Sequence, residues 1–160
     1  MRSKVSSLAN IFRLYGSQGN HDSSNQLIEE TLKYARKPED RAHALRLRGR
    51  NRFIQRDFEG AYRDTVSALE AIGMSLPSKI SILELDEAFD AVKTKLLSFG
   101  FDEILHLNRT GDHLTDLKIS LLNDAANNAF WGAPQGMADY IGVQVSPTFR
   151  YRDRYSWQIE

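Results

Sequence analysis

The sequence predicts an all-α fold of antiparallel helix pairs, and three observations carry that expectation. Apolar residues recur every three or four positions in successive stretches, which lines one face of a helix. Short breaks bearing Gly, Pro and Asp separate the stretches, residues suited to stopping one helix and capping the next. Two neighbouring pairs of stretches also look like copies of one unit. The 160 residues, 41% hydrophobic and 26% charged, suffice for one domain with its own core. Lys and Arg number 21, as do Asp and Glu, so no net field draws the chain to nucleic acid or to an anionic membrane. The absence of cysteine excludes disulfides, thiol chemistry and Cys-ligated zinc, and favours a reducing, cytoplasmic setting. No apolar run approaches the ~20 residues of a membrane span.

The first helix is expected over Lys4 to Tyr15, with Val5, Leu8, Ile11, Phe12 and Tyr15 on one face, and Gly16 to Asn20 stops it. The second begins around Ser23 and Ser24, whose hydroxyls suit an N-cap, and carries Leu27, Ile28, Thr31, Leu32 and Ala35 up to Lys37-Pro38. The third starts at Glu39 or Asp40, acids at the positive end of a helix dipole, and uses Ala42, Leu45, Gly49 and Phe53. After the turn at Arg56-Asp57, a fourth helix faces Phe58, Ala61, Thr65, Ala68, Leu69 and Ile72 inward and ends on Gly73. Leu76-Pro77-Ser78 breaks the register, and the stretch to Ile82 reads as a connection.

A fifth helix spans Leu85 to Phe99, with Leu85, Phe89, Val92 and Leu96 as its apolar stripe and Gly100 closing it. Phe101 to Leu107 reads as a short helical turn. Asp112 is placed to cap a sixth helix, Leu114 to Phe130, that buries Leu114, Leu117, Leu121 and Ala125; Trp131-Gly-Ala-Pro134 ends it. Met137 to Val145 suits a helix or a strand. From Ser146 onward Arg150, Arg152 and Arg154 alternate with Tyr151, Asp153 and Tyr155, and no helical face emerges. The domain is therefore set at 1–145, with 146–160 read as a poorly ordered tail.

The first four helices compare as two copies, their turns at Asn20 and Asp57 lying 37 positions apart. In the second copy Gly49, Phe58, Ala61 and Ala68 stand where a tetratricopeptide repeat of about 34 residues wants small and aromatic residues. Gly and Ala let two helices approach, and the aromatic fills the gap where they diverge. Arg48 and Arg52 depart from that pattern, at positions that usually carry Leu and Tyr; in the first copy Ser24 replaces the expected Ala. The fold expected is a short tetratricopeptide-like solenoid.

From about Ser24 to Ile141 the chain resembles the helical-repeat region of multidomain hybrid sensor histidine kinases of fungi and bacteria. Those proteins begin with a serine/threonine-kinase-like domain and an AAA-type ATPase domain. The resemblance rests on Gln55-Arg-Asp-Phe-Glu-Gly-Ala61, on Ala68-Leu-Glu-Ala-Ile-Gly-Met-Ser-Leu-Pro77, on Phe101-Asp-Glu-Ile-Leu-His-Leu107, and on a helix like Leu114 to Ala129 that ends near an Ala-Pro pair. It implies a scaffold segment in a two-component phosphorelay, coupling ATPase and kinase modules or binding protein partners. The family's continuation past Val145 is replaced by the Ser146 tail, as in a fragment of a longer protein. No phosphate-cradling Gly-x-x-x-x-Gly-Lys-Ser/Thr loop and no kinase Gly-rich loop occurs here, so no catalytic residue is carried over and no cofactor is expected.

Other chemistry is thinly signalled. The histidines His21, His43, His106 and His113 never stand three or four apart, so no local metal motif exists. His106 has the pKa range of an acid–base group but no nucleophile beside it. The acidic pairs Glu29-Glu30, Asp86-Glu87 and Asp102-Glu103 fit solvated helix chemistry, and Asn108-Arg109-Thr110 reads as a turn. The arginines say more. Arg48, Arg52 and Arg56 recur every four residues and would line one helix edge, as candidate partner-binding residues. Such a stripe grips an acidic peptide, or, more simply, pairs with acids of the neighbouring helix. The partner expected is therefore a protein, either kinase and ATPase modules of the same polypeptide or an acidic peptide, with no role for nucleic acid or membrane. At the N-terminus Arg2, Lys4 and Arg13 among serines also resemble a mitochondrial presequence, although repeat pairing explains the same stripe.

Overall fold

In a computed structural model, which describes residues 21–98 and 112–145, local chemistry sets several of the helix ends. The helices are α1 (His21–Tyr34), α2 (Pro38–Ile54), α3 (Phe58–Ala71), α4 (Ile82–Leu97), α5 (His113–Gly132) and α6 (Met137–Val145). Pro38 opens α2, where its missing N–H costs nothing, followed by Glu39 and Asp40. Asp57 caps α3 by accepting from the Gly60 amide at 3.0 Å. The helix closes when the Gly73 amide donates to Glu70 and the Met74 amide to Leu69, with Gly73 at φ +79°, a Schellman ending. Ser81 and Glu84 form a reciprocal capping box at α4. Asp112 accepts from the Leu114 and Thr115 amides, each at 3.2 Å, and so caps α5 as expected.

The described residues are all helical where they are regular, and the helices pack as stacked pairs. Asn25 meets Asn51, and Glu29 meets Arg48, so α1 and α2 are antiparallel. Phe53 meets Phe58 and Gly49 lies against Ala61 and Thr65, so α2 and α3 are antiparallel too. Asn128 reaches Thr65 while Trp131 reaches Phe58, which sets α5 antiparallel to α3. Helix α6 then packs on α5, and α4 packs on α6. The segment carrying α4 is thus an insertion between one helix pair and the next.

The core is built where these layers meet. Leu69, Leu121 and Leu122 are fully buried, joined by Ala42, Leu45, Ala68, Ala125, Met137 and Ile141. Each large side chain removed from water contributes about 1.5–3 kcal/mol. Small residues make the layers close: a Cβ on Gly49 would stand 3.1 Å from the Ala61 carbonyl oxygen. Gly132 leaves less room still, since a Cβ there would run into the Phe58 carbonyl and the Glu59 amide. Buried polar groups at this junction are paired: Thr65 donates to the Ala61 carbonyl at 2.8 Å, and Asn128 donates to Thr65 at 2.8 Å and to the same carbonyl at 3.3 Å.

Several expectations are corrected. Ser23 and Ser24 fall inside α1 rather than capping it, and Ser24 is fully buried. Helix α4 starts at Ile82, three residues early, because of the Ser81 capping box, and Phe89 is exposed because α4 leans on α6 alone among the larger helix contacts. Helix α5 runs through Trp131 and Gly132 and stops only before Pro134. The 137–145 stretch is helical, with Met137 and Ile141 one turn apart in the core. The expected first helix, the turn at 101–107 and the 146–160 tail lie outside the described residues.

Replacing Gly132 with Ala drives a methyl group into the backbone of the first turn of α3. Gly132→Ala is expected to lower stability by about 1–3 kcal/mol, read as a shifted urea midpoint with an unchanged slope. An unchanged midpoint would show that α5 does not seat on α3 in this way.

Candidate functional site

The arginines singled out in the sequence do not form a free stripe. Arg48 holds Asp64 with two parallel bonds, 2.9 and 2.7 Å, and reaches Glu29 on α1 at 2.7 Å. Arg52 stands 3.3 Å from the same Asp64 and 3.7 Å from Asp57. Asp64 is only 6% exposed, so its carboxylate depends on these two partners. Hydrogen bonding to Asp64 above all, then to Glu29, raises the Arg48 pKa above its ordinary value, against the opposing effect of burial. Arg56 lies beyond the end of α2, in the left-handed region at φ +65°, and among the described residues it takes part in no ion pair. The expected edge of Arg48, Arg52 and Arg56 is therefore two arginines that bind α1, α2 and α3 together and one that projects from a turn.

A different set of residues is gathered along α2 and α5. His43 meets His113 edge-on, ring centroids 5.9 Å apart. One turn further, Arg46 reaches Asp124 at 2.6 Å and Arg50 reaches it twice at 3.2 Å. At the far end Phe53 touches Phe58, which stacks on Trp131 at 5.7 Å, and Phe130 meets Trp131 edge-on. Residue numbers rise together along both helices, so α2 and α5 run parallel and share one long face. Ile54 at the end of α2 is 66% exposed, and Phe130 and Trp131 at the end of α5 are 70% and 60% exposed. The face thus grades from imidazoles, through paired guanidiniums, to exposed rings.

None of these cross-helix meetings is local in sequence, which is why spacing rules miss them. Arg46 and Arg50 do have the four-residue spacing seen in the other arginines, and that was the available signal. Glu29 is engaged by Arg48, whereas Glu30, Asp86 and Glu87 are exposed. His106, Asp102-Glu103 and Asn108 to Thr110 lie outside the described residues. Among the described residues no three His, Cys, Asp or Glu side chains form a metal-binding group, and no helix is long and apolar enough to cross a membrane. An open cleft of about 480 Å³ at the turn between α1 and α2 is lined by Arg36, Lys37 and Arg41, with Glu70 across it. Comparison with known protein-family models, curated proteins and solved structures found no match.

Two outcomes follow from these geometries. Asp64→Asn leaves Arg48 and Arg52 without their shared charge and is expected to cost about 2 kcal/mol, below the full cost of breaking a buried pair because both arginines are partly solvated. Glu29→Gln, at an exposed site, is expected to cost less than about 0.5 kcal/mol in the same denaturation series. His43 has its pKa lowered from 6.5 by burial first, then by His113 and Arg46, against smaller opposing effects of Asp40 and Glu39. The unfolded chain therefore takes up this proton before the folded one does. The His43 contribution is intact above pH 6.5 and is lost as pH falls through and below that value. Melting temperatures between pH 7.5 and about 5.5 should fall more steeply for the native chain than for His43→Gln. Parallel curves would remove His43 from the pH response.

Proposed function

We propose that this chain is a helical-repeat scaffold segment that holds other protein modules, with the face shared by α2 and α5 as its working surface. The observation that carries this reading is the exposed ring pair Phe130–Trp131 at the end of α5, together with exposed Ile54 one turn past the half-exposed Arg50 at the end of α2. Aromatic rings and arginines dominate the residues that give protein interfaces their affinity. Rings left exposed side by side are also unfavourable in water unless a partner covers them. Stacked helix pairs support the reading, because such arrays offer long faces for contact.

The resemblance to the repeat region of hybrid sensor histidine kinases supplies the setting we favour. There the segment would lie between an ATPase module and downstream sensor and kinase modules, with phosphoryl transfer carried out by those modules and relayed through contacts on this face. A stand-alone adaptor for an acidic peptide is the second reading. Arg50, half exposed, favours it more than Arg48 and Arg52, which are held by Asp64.

Site-specific photo-crosslinking in the native host tests the surface. Benzoylphenylalanine placed at Phe130 or Ile54 should give partner adducts several-fold above the same group at Ser67, an exposed position on α3. Adducts on a polypeptide with kinase or ATPase modules would support the phosphorelay setting. Equal yields at all three positions would overturn the assignment of this face.

A further inference from the structure

Resting on the scaffold reading, we infer that Arg50, beside the more enclosed Arg46, forms a receptor for a carboxylate of an acidic segment in the partner, and that an apolar residue of the same segment seats against Ile54 and the exposed rings that follow on α5. Three features of the face lead there.

The first is unused donor capacity. A guanidinium carries five N–H donors. Arg46 gives Asp124 one bond and Arg50 gives it two, all to one carboxylate that also leaves a surplus positive charge. The Arg50 side chain is 51% exposed and both its bonds are long at 3.2 Å, so it can turn part of its fork outward without leaving Asp124. Planar carboxylates are the group this fork matches. Arg48 shows the contrasting state: its three bonds of 2.7–2.9 Å go to two acids, one of them buried.

The second is spacing. Ile54 lies four residues beyond Arg50 on α2, a rise of about 6 Å. An extended peptide covers that distance in about two residues. The favoured ligand therefore carries an acid, one intervening residue, and then a Leu-sized or aromatic side chain. The third is charge at the apolar end, where Arg56 projects from the turn just past Ile54 and among the described residues has no acidic partner. A ligand with a second acid beyond its apolar residue would meet it.

The test is fluorescence anisotropy on the full chain with a labelled twelve-residue peptide built from Asp-Ser-Leu repeats, beside an Asn-Ser-Leu and an Asp-Ser-Ser version. The Asp-Ser-Leu peptide should bind about tenfold tighter than either control and weaken as salt is raised. Arg50→Gln should weaken it about fivefold or more, with an unchanged thermal melt. Asp124→Asn should strengthen it about threefold, because the internal competitor for the guanidiniums is neutralised. That gain cannot come from a damaged fold.

Equal binding of the Asp and Asn peptides, indifference to Arg50→Gln, or weaker binding by Asp124→Asn would each overturn the carboxylate receptor. In those cases, selective crosslinking at Phe130 would leave the scaffold reading intact, whereas its absence would remove that reading as well.

Discussion

Everything in this molecule depends on how closely three helices approach one another around α3. Close approach requires the absence of side chains at particular points. Gly49 on α2 faces the Ala61 carbonyl and Thr65, and Gly132 on α5 lies against the backbone at the start of α3. Between them Asn128 satisfies both Thr65 and the Ala61 carbonyl, so the junction is tight without orphaned polar groups. Because α3 is antiparallel to both neighbours, α2 and α5 become parallel, and residues some seventy positions apart fall into register along one face. The placement of His43 by His113, of Arg46 and Arg50 by Asp124, and of Phe58 between Phe53 and Trp131 follows from that one constraint.

Two carboxylates then divide the arginines into two sets. Asp64 is buried, and a buried carboxylate without cations is very costly, so Arg48 and Arg52 are committed to it. Asp124 is 19% exposed and shared by two arginines, one of them half in solvent. The Arg50 pair, long and half in solvent, contributes little. The difference in exposure singles out Arg50: Arg46 is as enclosed as Arg48, whereas half of the Arg50 side chain meets solvent.

Much of the fold was legible in the sequence because its signals are local. Asp112 as a cap, the turn at Arg56-Asp57, Gly73 as a helix end, and the small residues Gly49, Ala61 and Ala68 act within a turn or at one contact. The site was less legible. Counting by four carried the arginine stripe on to Arg56, but Asp57 caps a new helix next door, and the chain must leave α2 two residues earlier, at Ile54. Periodicity also marked Phe89 as inward, although an inward direction needs a neighbour on that side, and α4 has its main contact with α6. Helix α5 has the opposite outcome: neighbours on several sides bury Ile119, Leu122 and Ala129 in addition to the expected stripe. The His43–His113 and arginine–Asp124 meetings depend on the parallel placement of α2 and α5, which no pattern within either helix encodes.

The tight junction and the exposed rings are a single feature. Gly132 allows the last turn of α5 to abut the first turn of α3, and the residue before it, Trp131, is thereby laid over Phe58. A larger residue at 132 would lift that turn away, and the row of Phe53, Phe58 and Trp131 would lose the contact between Phe58 and Trp131. Trp131 is held from beneath by Phe58 and from the side by Phe130 while much of it remains open to solvent. Rings fixed in this way lose little conformational freedom when a partner covers them, which is the condition under which exposed aromatic area converts most fully into affinity. The same glycine that closes the core therefore also shapes the surface on which the proposed scaffold acts.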